Sequence, residues 1–167
     1  MLPTGAVGEL WARGPMIVKG YWNKPDATAA TFVNGWVRTG DIARLDEEGF
    51  CYIIDRAKDV IIRGGENVAC QEVEAALYQH THVAEAAVFG LPDERFGEVP
   101  GAVVHAAQGA TLAGEELRAF LGEQLAAFKV PARIWISAAP LPRLGTEKID
   151  KVALRQRYRA IAAGETA

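Results

Sequence analysis

The chain has 167 residues, half of them hydrophobic and 23% charged, with a formal net charge of −3. That balance excludes a disordered chain and allows one ordinary domain, or a small domain with an appendage, around a real core. A net negative charge also argues against non-specific nucleic-acid binding, which depends on clustered Lys and Arg. No apolar run is long enough for a membrane-spanning helix. The N-terminus, Met1-Leu2-Pro3-Thr4-Gly5, has no basic region followed by an apolar stretch, so no secretory signal is expected. Cys51 and Cys70 form no CxxC pair and have no His at zinc spacing, so no metal site is expected. Both read as buried, reduced thiols of a cytosolic protein, and a cytoplasmic location is the expectation.

Residues 1–55 predict short strands and turns, punctuated by frequent Gly and Pro. Strands are expected at Glu9–Arg13 and Met16–Tyr21, and a short helix at Asp26–Phe32 behind Pro25. Ile42–Leu45 and Phe50–Asp55 predict two strands joined by the turn Asp46-Glu47-Glu48-Gly49. After Asp55 the texture changes. A strand is expected at Asp59–Arg63, ending at Gly64-Gly65. Gln71–His80 carries Val73, Ala76, Leu77 and His80 on one helical face. Val83–Phe89 and Val99–His105 are apolar and strand-like, with a charged loop at Gly90–Glu98 between them. Gly114–Ala127 is an amphipathic helix with Leu117, Phe120, Leu121 and Leu125 as its stripe. Arg133–Ser137 is a strand, and Asp150–Ala163 a helix capped by Asp150 with Leu154, Tyr158 and Ile161 facing inward. The order of elements predicts an α+β fold, a small α/β sandwich on a mixed sheet. The predicted division is 1–55 and 56–167. Strands in the first part have edges that need partners, so they are expected to complete a larger domain upstream.

Four clusters stand out; the fourth, Gly90–Glu98, reads as a connection or interface, and the other three carry chemistry. Thr39-Gly40-Asp41 places a carboxylate on a tight turn, where it can accept hydrogen bonds from two adjacent hydroxyls, as acidic residues do with a ribose. Asp55-Arg56-Ala57-Lys58-Asp59 precedes a strand that ends at Gly64-Gly65, a pattern that fits a hinge and a ligand-facing glycine. Pro142–Lys148 is a loop before the last helix, and Lys148 offers a compact cation on a flexible stem for a phosphate or carboxylate. Taken singly, each cluster also reads as an ordinary turn or solvated loop.

Order and spacing say more than any one cluster. Gly-Glu-Leu-Trp at 8–11, Gly-Tyr-Trp-Asn at 20–23, Trp-Val-Arg-Thr-Gly-Asp at 36–41, Asp-Arg-Ala-Lys-Asp at 55–59, Gly-Gly-Glu-Asn at 64–67, Glu72-Val73-Glu74 and the Lys148 loop follow one another. This ordered set resembles the adenylate-forming superfamily of AMP-forming acyl-CoA synthetases, peptide-synthetase adenylation domains and beetle luciferases. The resemblance runs from about residue 5 to residue 158 and corresponds to the family's C-terminal portion. It implies a mobile C-terminal domain preceded by the last strands of the large N-terminal adenylation domain. It also implies two half-reactions. A carboxylate attacks the α-phosphate of ATP to give an acyl-adenylate, and coenzyme A then displaces AMP.

Residue by residue, Asp41 resembles the carboxylate that holds the ribose hydroxyls and Arg56 the basic residue beside the nucleotide. Lys58 stands at the hinge position, where many relatives have Asp. Gly65 resembles the glycine beside the pantetheine channel, and Lys148 the lysine that serves adenylation. Relatives usually carry Gly before that lysine, whereas this chain has Glu147. If this position has positive φ, Glu147 is strained. The phosphate-binding loop, the acyl pocket and the Mg²⁺ ligands of the family lie upstream of the matching region. The implied partners are therefore an N-terminal adenylation domain, ATP or AMP, coenzyme A and a carboxylic acid. The motifs look more like fatty-acyl or aryl-CoA ligases than peptide synthetases, with a fatty acid as the expected substrate. A fragment of this kind is expected to be inactive alone. The alternative expectations are a non-catalytic remnant or split-gene module that binds a partner, and self-association through Trp11, Tyr21, Trp22 and Phe32.

Overall fold

A computed structural model describes residues 2–164 of the chain. It divides into two compact units, Met1–Lys58 and Asp59–Ala167.

The first unit contains β1 (Val7–Ala12), α1 (Pro25–Thr31), β2 (Phe32–Val33), β3 (Trp36–Leu45) and β4 (Cys51–Arg56). β3 is the spine of its sheet. It pairs antiparallel with β1 on one side and with β2 and β4 on the other. Pro25 at the first turn of α1 presets the helical φ and removes an N–H that would have no partner there. The β3–β4 turn falls at Asp46–Gly49, as the sequence predicts. Asp46 Oδ1 accepts the N–H groups of Glu48 and Phe50 at 3.0 and 2.9 Å, which closes the turn through a side chain. Met16–Tyr21 is not a strand but a run of turns and bends. Its apolar side chains do not decide the backbone, because they pack against no sheet: Met16 is 81% exposed. Ala43 is the single buried hydrophobic residue among the described residues of this unit, and Trp22 is 93% exposed. The unit therefore has a sheet but no hydrophobic core of its own. Cys51, expected inside, is exposed on β4, whereas Cys70 in the second unit is buried.

The second unit contains β5 (Val60–Arg63), β6 (Glu66–Ala69), α2 (Cys70–Leu77), β7 (Val83–Asp93), β8 (Gly97–Ala106), α3 (Gly114–Gly122), β9 (Arg133–Ser137) and α4 (Lys151–Ala162). The sheet order is β6-β5-β8-β7, and β9 runs parallel to β8 while every other pair is antiparallel. The sheet is mixed, as expected. β7 and β8 read as nearly continuous apolar runs because both of their faces are covered. Ala86 and Val88 join Val73, Leu77, Leu117 and Leu121 in a core with α2 and α3. The alternate residues Ala87, Phe89 and Leu91 pack with Leu154 and Tyr158 of α4 on the other face. The period of two along a strand thus feeds two separate cores.

Three expectations shift here. The charged segment Gly90–Glu98 is mostly strand, because β7 and β8 extend into it as one long hairpin. Gly64-Gly65 does not end the strand pattern but turns β5 into β6, which the sequence reading lacks. α3 stops at Gly122, short of the expected Ala127, although Leu125 beyond its end still packs against the core. The last helix begins as expected: Asp150 is its N-cap, and its carboxylate accepts the Ala153 N–H at 3.0 Å.

Candidate functional site

Each unit carries its own candidate residues. In the first, Thr39-Gly40-Asp41 does not follow a strand but lies within β3 as a bulge. Glu9 pairs with Ile42 and Trp11 with Arg38, so Leu10 alone faces this segment. Gly40 has φ +73, which lets the extra residues fold out of the ladder. Thr39 pins the bulge from both sides. Its hydroxyl donates to the Leu10 carbonyl at 2.8 Å and accepts the Asp41 N–H at 3.0 Å. A second bulge on β4 lies beside it, where the register shifts between Ile42 and Ala43.

Asp41 and Arg56 are register partners across β3 and β4, and Arg56 Nη1 lies 3.1 Å from Asp41 Oδ1. Arg56 Nη1 also donates to the Thr39 carbonyl at 3.3 Å. The Asp41 side chain is half-buried and that of Arg56 exposed, so a carboxylate and a guanidinium stand together at the surface on a pinned bulge. Such a pair can accept from neighbouring hydroxyls and donate to an anion. Lys58 is exposed in the turn after β4 and is the last residue of this unit.

In the second unit, Gly65 sits at the β5–β6 turn with φ +93, and a Cβ placed there meets nothing within 4 Å. Within this unit the demand for glycine is conformational, because L-residues rarely adopt that φ. Gly64 N–H donates to the Phe96 carbonyl at 2.8 Å, which ties the turn to the β7–β8 hairpin.

Lys148 is exposed in a compact loop between β9 and α4. The loop closes on itself. Leu144 N–H donates to the Lys148 carbonyl at 2.8 Å, Glu147 N–H to the Leu144 carbonyl at 3.0 Å, and Asp150 N–H to the Pro142 carbonyl at 2.7 Å. Glu147 has φ +63, the left-handed backbone that the Gly-to-Glu departure raised as a concern. Its carboxylate makes no ion pair with Lys148, so the ammonium is not drawn onto its neighbour.

Sequence reasoning missed the residues that hold this loop. Glu85 of β7 accepts the Leu141 N–H at 2.6 Å and Arg143 Nη2 at 2.5 Å. Arg143 Nη1 then donates to the Glu147 carbonyl at 2.6 Å. Burial works to raise the Glu85 pKa, but the Leu141 N–H and the Arg143 guanidinium outweigh it and hold the carboxyl below its ordinary range. On the far side of the loop, Lys151 Nζ lies 2.7 Å from Glu74 of α2, which also accepts the Val88 N–H at 2.7 Å. The signal for Glu85 was present in the sequence: it is a lone charge inside an apolar strand. Its partners are 56 and 58 residues away, beyond any local pattern.

Among the described residues, no group of three or more His, Cys, Asp or Glu could hold a metal ion. No helix among them is long and apolar enough to cross a membrane.

Residues 72–148 match the AMP-binding enzyme C-terminal domain family. The chain is 44% identical to a feruloyl-CoA synthase of Amycolatopsis sp over 157 residues, covering 94% of this chain and 32% of that protein. It is 44% identical to a long-chain-fatty-acid–CoA ligase of Mycobacterium tuberculosis, over 92% of this chain and 30% of the relative. It superimposes on the o-succinylbenzoate CoA synthetase of Bacillus subtilis, solved with its acyl-adenylate intermediate, with a TM-score of 0.84 at 39% identity. That match covers 92% of this chain and 31% of the other. The chain therefore spans about a third of the length of the relatives it matches. These relatives differ in the acid they take, so they do not single out a fatty acid. The chain carries the AMP-binding enzyme C-terminal domain at residues 72–148 and is similar over nearly its whole length to the C-terminal portion of longer acyl-CoA ligases.

Proposed function

We propose that this chain works with an adenylation domain to activate a carboxylic acid, fatty or aryl, as acyl-AMP and to transfer it to coenzyme A. In this reading residues 1–55 are the terminal strands of the adenylation domain and residues 56–167 the mobile C-terminal domain. ATP, AMP, coenzyme A and Mg²⁺ are its cofactors, with the Mg²⁺ ligands supplied by the adenylation domain. The observation that carries the reading is the exposed, clamped Lys148 loop, whose ammonium has no ion-pair partner among the described residues and stands on a fixed backbone.

The chemistry follows from charge. As the carboxylate adds to the α-phosphate, negative charge grows on the phosphoryl oxygens, and a preorganised cation lowers that barrier. Lys148 supplies this cation. Asp41 accepts from the ribose hydroxyls while Arg56 orients Asp41 and faces the nucleotide. Thioester formation starts from a finished adenylate and needs no such cation. A domain that turns about Lys58 can then withdraw Lys148 and bring Gly65 to the thiol. The missing side chain at Gly65 leaves room for the pantetheine arm.

The test is a fusion in which residues 1–167 replace the matching C-terminal third of Amycolatopsis feruloyl-CoA synthase. The fusion is expected to make feruloyl-CoA from ferulate, ATP and coenzyme A. K148A is expected to lose roughly 100-fold or more in pyrophosphate release, yet still to make thioester from supplied feruloyl-AMP. Equal loss of both steps sinks the role of Lys148. The exposed Met16, Trp22 and Phe50 favour a second reading, association with a separate partner or a second copy. A folded fusion without turnover, together with concentration-dependent association of the 167-residue chain in light scattering, supports that reading instead.

A further inference from the structure

The loop that carries Lys148 is held by a side-chain relay from a different part of the fold. Glu85 lies on β7, the strand at one end of the second unit's sheet order, which pairs with β8 alone among the described strands. Its two oxygens receive the Leu141 N–H and the Arg143 guanidinium, one from the chain entering the loop and one from the loop itself. The same guanidinium reaches the carbonyl of Glu147 with its other terminal nitrogen. Glu147 is the residue at φ +63, immediately before Lys148. A left-handed non-glycine residue persists only where its surroundings over-determine it. The Arg143 donor on its carbonyl is such a constraint.

We propose that Glu85 and Arg143 are positioning residues for Lys148, and that Arg143 fixes the left-handed backbone of Glu147 so that the lysine emerges in one direction. This rests on the reading of Lys148 as the adenylation lysine. Neither residue touches the reacting groups. Glu85 orients Arg143, and Arg143 orients the peptide that precedes the lysine. The bidentate fork of an arginine suits this task, since it binds a carboxylate on one side and a carbonyl on the other.

The two half-reactions of the feruloyl-CoA synthase fusion test the proposal. E85Q and R143A are each expected to lower pyrophosphate release by about ten-fold to 100-fold, the scale of a misplaced reacting group. Thioester formation from supplied feruloyl-AMP is expected to stay at the parent rate. A purely structural role lowers both steps together, and that result overturns the proposal. Unchanged pyrophosphate release in both variants overturns it too. K148A separates the two levels. If K148A spares pyrophosphate release, the reading of Lys148 has failed and the clamp has nothing to position. If K148A abolishes it and E85Q and R143A do not, the clamp alone has failed.

Glycine needs no help to hold φ +63, so R143A is expected to cost less in the E147G background than in the parent. Equal cost in both backgrounds overturns the role assigned to Arg143 at Glu147. Amide exchange in the 167-residue chain gives a readout independent of activity. In E85Q the amides of Leu144, Glu147 and Asp150 are expected to exchange faster, while Val103 and Val104 of β8 keep their protection. Unchanged loop exchange, or faster exchange throughout, counts against the clamp.

Discussion

Asp41 and Arg56 are partners twice over: their backbones pair across β3 and β4, and their side chains meet at 3.1 Å. The ladder register, set by a bulge on each side, brings a carboxylate and a guanidinium to one surface point. An exposed ion pair of this kind contributes only about 0–1 kcal/mol to stability, so folding does not require it. D41A in the fusion is expected to raise the KM for ATP about ten-fold, the scale of lost hydrogen bonds to a charged group. The urea midpoint should barely move. A large loss of stability with an unchanged KM would show that the pair is structural.

Glu147 carries a left-handed backbone at a cost of about 1–2 kcal/mol for an L-residue. E147G removes that strain but returns roughly 0.4–1 kcal/mol of unfolded-chain entropy. The net expectation is a gain of about 0.5–1 kcal/mol in urea unfolding of the 167-residue chain. A net loss would mean that the Glu147 side chain contributes more than its backbone costs.

The Glu85 carboxyl is held below its ordinary value of 4.5. Burial opposes this, while the Leu141 N–H and Arg143 outweigh it and His105 adds a smaller attraction. A carboxyl with a depressed folded-state pKa contributes stability that is complete above its unfolded value. That contribution fades as pH falls through the folded value. The stability gap between the parent and E85Q should therefore be constant near neutral pH and shrink once the pH drops below about 4.5. Urea midpoints measured from neutral to acid pH check this. A gap that widens on acidification contradicts the assigned sign.

Gly65 has room for a side chain within its own unit but not the backbone for one, at φ +93. G65A is expected to cost roughly 1–2 kcal/mol of stability through backbone strain alone. In the fusion it should slow thioester formation while pyrophosphate release continues. If both steps slow by the same factor, the effect is strain and not access of the thiol.

The parts of the fold legible from residues alone were those decided locally. Asp150 caps α4 because its carboxylate reaches an N–H three residues on. Asp46 closes its turn over four residues. The stripe of Leu117 and Leu121 and the apolar runs of β7 and β8 report burial by their period. Met16–Tyr21 misled because apolar content reads as strand only when a sheet is there to cover it. Thr39-Gly40-Asp41 read as a turn because a glycine at positive φ looks the same in a turn and in a bulge. The partner strand β1, about 30 residues earlier, tells them apart.

The sequence by itself determined the family resemblance and most of the elements of the second unit, and it nominated the residues offered for chemistry, because ordered motifs and short-range periodicities are properties of the chain alone. The tertiary structure decided how those residues are held. Strand register places Asp41 against Arg56, and a carboxylate on β7 reaches 58 residues along the chain to Arg143 and, through it, to the backbone before Lys148. Such contacts arise only when sheet pairing and two-sided packing bring distant segments together, and no local pattern encodes them.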